Sequence, residues 1–140
     1  MILFIQGANY DKRKEWYMKF IQKENEVKAA IKKYLEVCGY TVYRINNVGV
    51  AIGGRSGKAG DKARFVFHGT KGFPDLVAIK PQHNVIFVET KATGKIPSHE
   101  QTDFLAVALT CPGVIALWAD SLDMFMVKLN ENPHFKRGGK

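Results

Sequence analysis

Cysteine, acidic residues and long apolar runs are all scarce in this chain, and each shortage excludes something. The two cysteines, Cys38 and Cys111, form no CxxC pair and stand in apolar, helix-like surroundings. No His-x-x-x-His pair accompanies them, and His68, His83, His99 and His134 are scattered, so no zinc-ligand spacing is present. Reduced core thiols in a cytosolic, intracellular protein are expected, in place of a disulfide framework. No apolar run approaches the ~20 residues of a membrane span. Met1–Ile5 is apolar but short, no basic segment precedes it, and Asp11–Glu15 is charged. Neither a signal peptide nor a membrane partner is therefore expected. Internal repeats are absent.

What is present is positive charge and enough apolar material for a core. There are 21 Lys and Arg against 13 Asp and Glu, a formal charge of +8, and 46% of residues are hydrophobic. The length of 140 residues reads as one domain over 1–140, with 1–22 as an N-terminal extension and 135–140 as a basic tail. A +8 chain suits a polyanionic partner, nucleic acid first, although a merely basic protein has the same composition.

Helical periodicity runs from about Asp11 to Cys38, with Tyr17, Phe20, Ile21, Val27, Ile31, Tyr34, Leu35 and Cys38 on one stripe. Lysines 19, 23, 28, 32 and 33 mostly flank it, and Gly39 suits the residue that ends a helix. Whether this is one helix or two, broken near Lys23–Asn25, the pattern leaves open. Glu24 lies three residues before Val27 and seven before Ile31, on their face, while Glu26 is turned away. A carboxylate on a core-facing stripe needs water, a cation or a metal beside it. Alternatively, Glu24 begins a second helix and favours its N-terminus.

Tyr40–Ile45 alternates as a strand, and Asn46 to about Lys62 reads as a glycine-rich loop. Gly53–Ala59 imitates a phosphate-binding loop but fails. Its glycine spacing is one short, and Ala59 stands where Ser or Thr would hold magnesium. Arg55, Lys58 and Lys62, with Arg64 just beyond, make the loop a candidate track for a nucleic-acid backbone, and also an ordinary solvated loop. Arg44, ending the preceding strand, is a further candidate phosphate ligand or a surface arginine.

Arg64–His68, Phe73–Lys80 and Val85–Lys91 read as strands, the last two joined by Pro81–Asn84 as a hairpin. Register decides what this hairpin does. With Lys80 opposite Val85, Asp75 is turned away from Glu89; an odd-length connection or a bulge sets the two acids side by side. Ser98-His99-Glu100-Gln101 reads as a capping box opening a helix whose apolar face is Phe104, Leu105, Ala108 and Leu109. Thr110–Gly113 stops that helix. Val114–Ala119 is a further strand, and Met124–Leu129 a strand or short helix. The order predicts an α/β domain, a mixed central sheet flanked by helices.

Asp75, Glu89 and Lys91 are charges on otherwise apolar strands, which is costly unless they pair or bind a metal. Hydrolysis of a phosphodiester needs an activated water, neutralised phosphate charge and a stabilised leaving oxygen. One hard divalent cation can serve all three. Magnesium or manganese suits oxygen ligands, here Asp75, Glu89 and the backbone carbonyl of Thr90. Lys91 shares a strand face with Glu89, where it would orient or deprotonate the attacking water. An ordinary cross-strand salt bridge is the competing reading.

Pro74-Asp75 followed by Glu89-Thr90-Lys91 is the signature of the PD-(D/E)xK nuclease superfamily. With Glu24 on a first helix, Gly72-Phe73-Pro74-Asp75-Leu76, Val88–Ala92 and Gln101 opening the next helix, the pattern resembles the VRR-NUC (virus-type replication-repair nuclease) family over roughly residues 24–120. The resemblance implies a restriction-endonuclease-like core and a magnesium- or manganese-dependent DNA endonuclease. It also implies branched or flapped replication, repair or recombination intermediates as substrates, and a homodimer like some Holliday-junction resolvases. By the same resemblance Glu24 completes the acidic cluster, with any metal contact through water, and Gln101 lines the site, although a capping-box glutamine needs no such duty. A non-catalytic nucleic-acid-binding module on the same fold is the alternative.

Overall fold

The computed structural model describes residues 21–45, 49–52, 64–67 and 69–135. Three helices and six strands follow one another in these segments: α1 (Glu24–Val37), β1 (Thr41–Arg44), β2 (Gly49–Ile52), β3 (Arg64–Phe67), β4 (Leu76–Ile79), β5 (Val85–Thr90), α2 (His99–Ala108), β6 (Val114–Ala119) and α3 (Leu122–Glu131). The central sheet has the order β1-β4-β5-β6. The β1–β4 and β4–β5 pairs are antiparallel, and β6 lies parallel to β5 because α2 carries the chain back between them. The sheet is therefore mixed, with helices packed against it.

Strand alternation sorts the side chains into two layers. Leu76, Ala78, Ile86, Val88, Ile115, Leu117 and Ala119 face Val27, Ile31 and Leu35 of α1 and Phe125 and Leu129 of α3. On the other face Phe87, Ala116 and Trp118 meet Phe104, Leu105 and Ala108 of α2. Leu109 is exposed, so the apolar face expected for this helix is narrower than its sequence suggests. Cys38 is half-buried at the end of α1, whereas Cys111, expected in the core, lies exposed in the turn after α2.

Local chemistry explains where these helices begin and end. Residues 21–23 are not helical and α1 starts at Glu24; the part of the stripe before Ile21 lies outside the described residues. Glu26 reaches back to the Lys23 N–H (2.8 Å), so this acid caps the helix from its exposed side. At the other end Tyr40 N–H donates to Leu35 O and Gly39 N–H to Glu36 O, both at 3.0 Å. This double closure requires the positive φ of 90° that Gly39 adopts. Ser98 accepts from the Gln101 N–H, and Ser121 from the Met124 N–H, opening α2 and α3. The Met124–Leu129 ambiguity resolves as helix, since the Ser121 cap and the buried pair Phe125 and Leu129, four residues apart, fit helical spacing.

One expectation is overturned. The segment read as continuous loop from Asn46 to Lys62 contains β2, which pairs antiparallel with β3 in a separate two-stranded ladder. The short run Val50-Ala51-Ile52 carries enough β propensity to extend, and its flanking glycines disguise it. Arg64 lies in β3 opposite Ile52. Arg55, Lys58 and Lys62 lie outside the described residues, as do 1–20 and 136–140. Among the described residues no helix is long and apolar enough to cross a membrane.

Phe125 is fully buried and meets Tyr34 of α1 edge-on at 6.0 Å between ring centroids. Phe125→Ala should cost about 3–5 kcal/mol in chemical denaturation, because α1 and the sheet cannot both close the cavity. A loss under about 1 kcal/mol would show that α3 is not part of the main core.

Candidate active site

The register of β4 and β5 is the first determinant of the site. Leu76 pairs with Val88, Val77 with Phe87 and Ala78 with Ile86. Continued outward, this pairing leaves a three-residue turn, Pro81–His83, closed by the His83 N–H donating to Lys80 O (3.1 Å). Continued inward, it sets Asp75 opposite Glu89, the odd-length alternative of the two the sequence allows. The Thr90 N–H and hydroxyl then both donate to Asp75 Oδ2, at 2.9 and 2.8 Å. Thr90, proposed from sequence for its backbone carbonyl, acts here through its own donors to orient Asp75.

Glu89 is 2% exposed, and Thr90 beside it is fully buried. One carboxylate oxygen of Glu89, Oε1, receives Lys91 Nζ at 2.8 Å and Gln101 Nε2 at 2.5 Å. The other, Oε2, is buried without a hydrogen-bond partner among the described residues. Burial pushes the Glu89 carboxyl up to about 7. The Lys91 hydrogen bond and charge hold it down, and the neighbouring charges of Asp75 and Glu24 raise it further.

Gln101 performs both duties between which the sequence could not choose. Its Oε1 accepts from the Ser98 N–H (2.8 Å) and closes the capping box, while its amide nitrogen reaches Glu89. The first turn of α2 is pressed against the turn that carries Asp75. A Cβ on Gly72 would lie 2.5 Å from the Glu100 carbonyl oxygen, and Gly72 has φ +84°. Only glycine therefore suits this contact. Phe73 then packs edge-on against Phe104 (5.1 Å) and Phe87 (6.0 Å), fastening the Gly72–Asp75 turn to α2 and β5.

The N-terminus of α1 arrives from the opposite layer. Gln22 and Thr93 exchange two hydrogen bonds, Gln22 N–H to Thr93 Oγ1 and Thr93 N–H to Gln22 O, at 2.9 and 3.1 Å. They tie the entry of α1 to the loop just after Lys91. Glu24, at the first helical position, is half-exposed at the site's rim, and Glu26 is exposed. Glu24 therefore begins the helix, and its carboxylate, half-exposed where a core-facing one was expected, lies 3.6 Å from Lys28 Nζ.

Lys28 is the residue that sequence reasoning missed. Placed among the flanking lysines, it is only 12% exposed and lies 3.1 Å from Asp75 Oδ1 and 3.6 Å from Glu24 Oε1. The signal was its position four residues after Glu24. Asp75, Glu89, Lys91, Gln101 and Glu24 are thus brought together with Lys28 at one end of the sheet. Arg44 is exposed at the end of β1, next to β4 and opposite Leu76, one residue from Asp75 in the pairing.

Among the described residues no three His, Cys, Asp or Glu side chains converge as a ready-made metal cage. Magnesium does not require one, since one or two carboxylates with water and substrate oxygens suffice. The unpartnered Glu89 Oε2 beside Asp75 fits that donor set. Compared with known proteins, the chain matches no family model, no curated protein and no solved structure.

The raised Glu89 carboxyl has a measurable consequence. Its folded value, about 7, exceeds the ordinary 4.5, so the folded state binds the extra proton. That contribution to stability is fully present below about pH 4.5 and is lost as pH rises through about 7. In metal-free protein, Glu89→Gln should flatten the decline of unfolding free energy over this interval. Carbon NMR of the Glu89 side chain should show a midpoint near neutrality. A midpoint at the ordinary value would show that water reaches the carboxyl freely.

Proposed function

We propose that this chain is a magnesium- or manganese-dependent DNA endonuclease with a restriction-endonuclease-like core. The observation that carries the reading is the buried Glu89 carboxylate with one oxygen unpartnered, set opposite Asp75 and bonded to Lys91. A merely structural ion pair has no reason to leave a buried carboxylate oxygen without a donor. The resemblance of Pro74-Asp75 and Glu89-x-Lys91 to the PD-(D/E)xK pattern supports the same conclusion, as does the +8 charge.

Asp75 and Glu89 would hold the cation, with Glu24 at the rim. When bound, it would supply Lewis acidity toward a phosphoryl oxygen and make an attacking water more acidic. Lys91, paired with Glu89 Oε1, would orient that water and offset charge on the phosphate. Gln101 fixes the Glu89 carboxylate so that Oε2 keeps its direction. Thr90 does the same for Asp75 through two donors on a single oxygen. The substrate class suggested by the VRR-NUC resemblance is branched or flapped DNA, with a homodimer as the assembly that would cut a four-way junction.

A second reading has its own observation. Lys28 and Lys91 already pair with Asp75 and Glu89, as they would in a non-catalytic nucleic-acid-binding module on this fold. Labelled linear, flapped and four-way DNA, incubated with Mg2+, Mn2+ or chelator, separates the two. Asp75→Asn, Glu89→Gln and Lys91→Ala should each slow cleavage by about a hundredfold or more with the fold retained. Glu24→Gln should slow it less, and Glu26→Gln, altered only at a helix cap, should leave the rate unchanged. Wild-type cleavage by Asp75→Asn would overturn the active-site assignment, and no cleavage of any of these substrates would end the nuclease reading.

Binding should follow phosphate electrostatics in either case. The logarithm of affinity should fall linearly with the logarithm of salt concentration, with a slope of about −0.9 per phosphate contacted. Replacing Arg55, Lys58 and Lys62 together should make that slope shallower; an unchanged slope would remove the glycine-rich segment from the DNA interface.

A further inference from the structure

The oxygens of the two central carboxylates are not equivalent. Asp75 Oδ2 is committed to the Thr90 N–H and hydroxyl, and Glu89 Oε1 to Lys91 and Gln101. Two oxygens remain as candidate ligands for a divalent cation. Glu89 Oε2 has no partner among the described residues, while Asp75 Oδ1 is held by Lys28 Nζ at 3.1 Å. The Lys28 ammonium therefore stands against the Asp75 oxygen that Thr90 does not engage.

We infer that Lys28 is a built-in cation that holds the site in its metal-free state and must give way when a divalent ion binds, so that it sets the metal affinity. This inference rests on the metal-dependent reading above. Without Lys28, the metal-free site would gather Glu24, Asp75 and Glu89 with only Lys91 to balance them, inside a region where Glu89 is already 2% exposed. Like charges that close are costly in such a setting. Lys28 relieves that cost at the oxygen a metal needs. Its position on α1 supplies the exit: Glu24 lies one turn earlier, half-exposed and already 3.6 Å from the ammonium. A short swing of a flexible four-carbon stem transfers Lys28 from Asp75 to Glu24 without moving α1. Glu24 is then the acceptor of the displaced ammonium, and Lys28 is a positioning residue that acts through Asp75.

Manganese binding measures this directly. Free Mn2+, followed by its paramagnetic resonance signal, would be titrated against the full chain in wild type, Lys28→Met, Lys28→Gln and Lys28→Arg. Circular dichroism melting in chelator would confirm that each variant folds. Removal of a unit charge a few ångströms from a divalent ion should tighten Mn2+ binding by about tenfold in the Met and Gln variants, after allowance for solvent screening. Lys28→Arg keeps the charge and should bind no more tightly than wild type. In the wild type itself, the Lys28 13Cε resonance should move as Mg2+ is added. Mn2+ affinity that is equal or weaker in folded Met or Gln variants overturns the assignment. So does a Lys28 resonance that ignores Mg2+, or a failure of all proteins to bind Mn2+. The nuclease reading fails separately: tight Mn2+ binding without DNA cleavage would sink it and leave the role of Lys28 standing.

Discussion

A carboxylate buried at the end of a central strand is the constraint on which the rest of the structure depends. Glu89 occupies a position where the strand pattern calls for an apolar side chain, and it is nearly inaccessible to solvent. A charge in such a place must be met by donors, or it takes up a proton. Here one oxygen is met twice and the other not at all, and the carboxyl is raised to about 7. Core quality has been given up at one point, and three elements have been arranged around that point.

Those elements come from both layers of the fold. The turn before β4 brings Asp75, fastened by Phe73 and by the close contact that only Gly72 permits. The first turn of α2 brings Gln101, whose amide is shared between a helix cap and Glu89. The first turn of α1 brings Glu24 and Lys28, held in place by the Gln22–Thr93 hydrogen bonds. Two helix N-termini and two strand ends thus converge at one end of the sheet. Helix starts and strand ends are places where backbone regularity lapses, so polar side chains can be aimed there at little cost to the core.

In the metal-dependent reading proposed above, the pairing of acids with lysines has a meaning beyond charge balance. Lys91 follows Glu89 by two residues on the same strand, so its contact is local and survives small movements of the helices. Lys28 reaches Asp75 from another layer, and its contact depends on how α1 sits against the sheet. In that reading one lysine is a fixed component of the site and the other an exchangeable one. The overall positive charge adds a field that draws polyanions in, while the site itself carries more acidic than basic groups when all are ionised.

By itself the sequence determined the α/β class, most of the elements in the central sheet, the Gly39 and Ser98 helix boundaries, and the charged triplet Asp75, Glu89 and Lys91. These follow from periodicity, capping chemistry and the cost of charge on apolar strands, all of which act within a few residues of the chain. It did not determine the hairpin register, because even and odd connections are both compatible with Pro81–Asn84 and differ only in which core they fill. Nor did it reveal β2, masked by its glycines, or the exposure of Cys111. The double duty of Gln101 and the place of Lys28 were decided by tertiary structure alone. Gln101 closes its capping box wherever α2 lies, and whether its amide also meets Glu89 depends on how closely Gly72 lets α2 approach. Lys28 lies on the flank of a helix in one dimension and against Asp75 in three, because α1 packs on the sheet face that includes Leu76, the residue after Asp75.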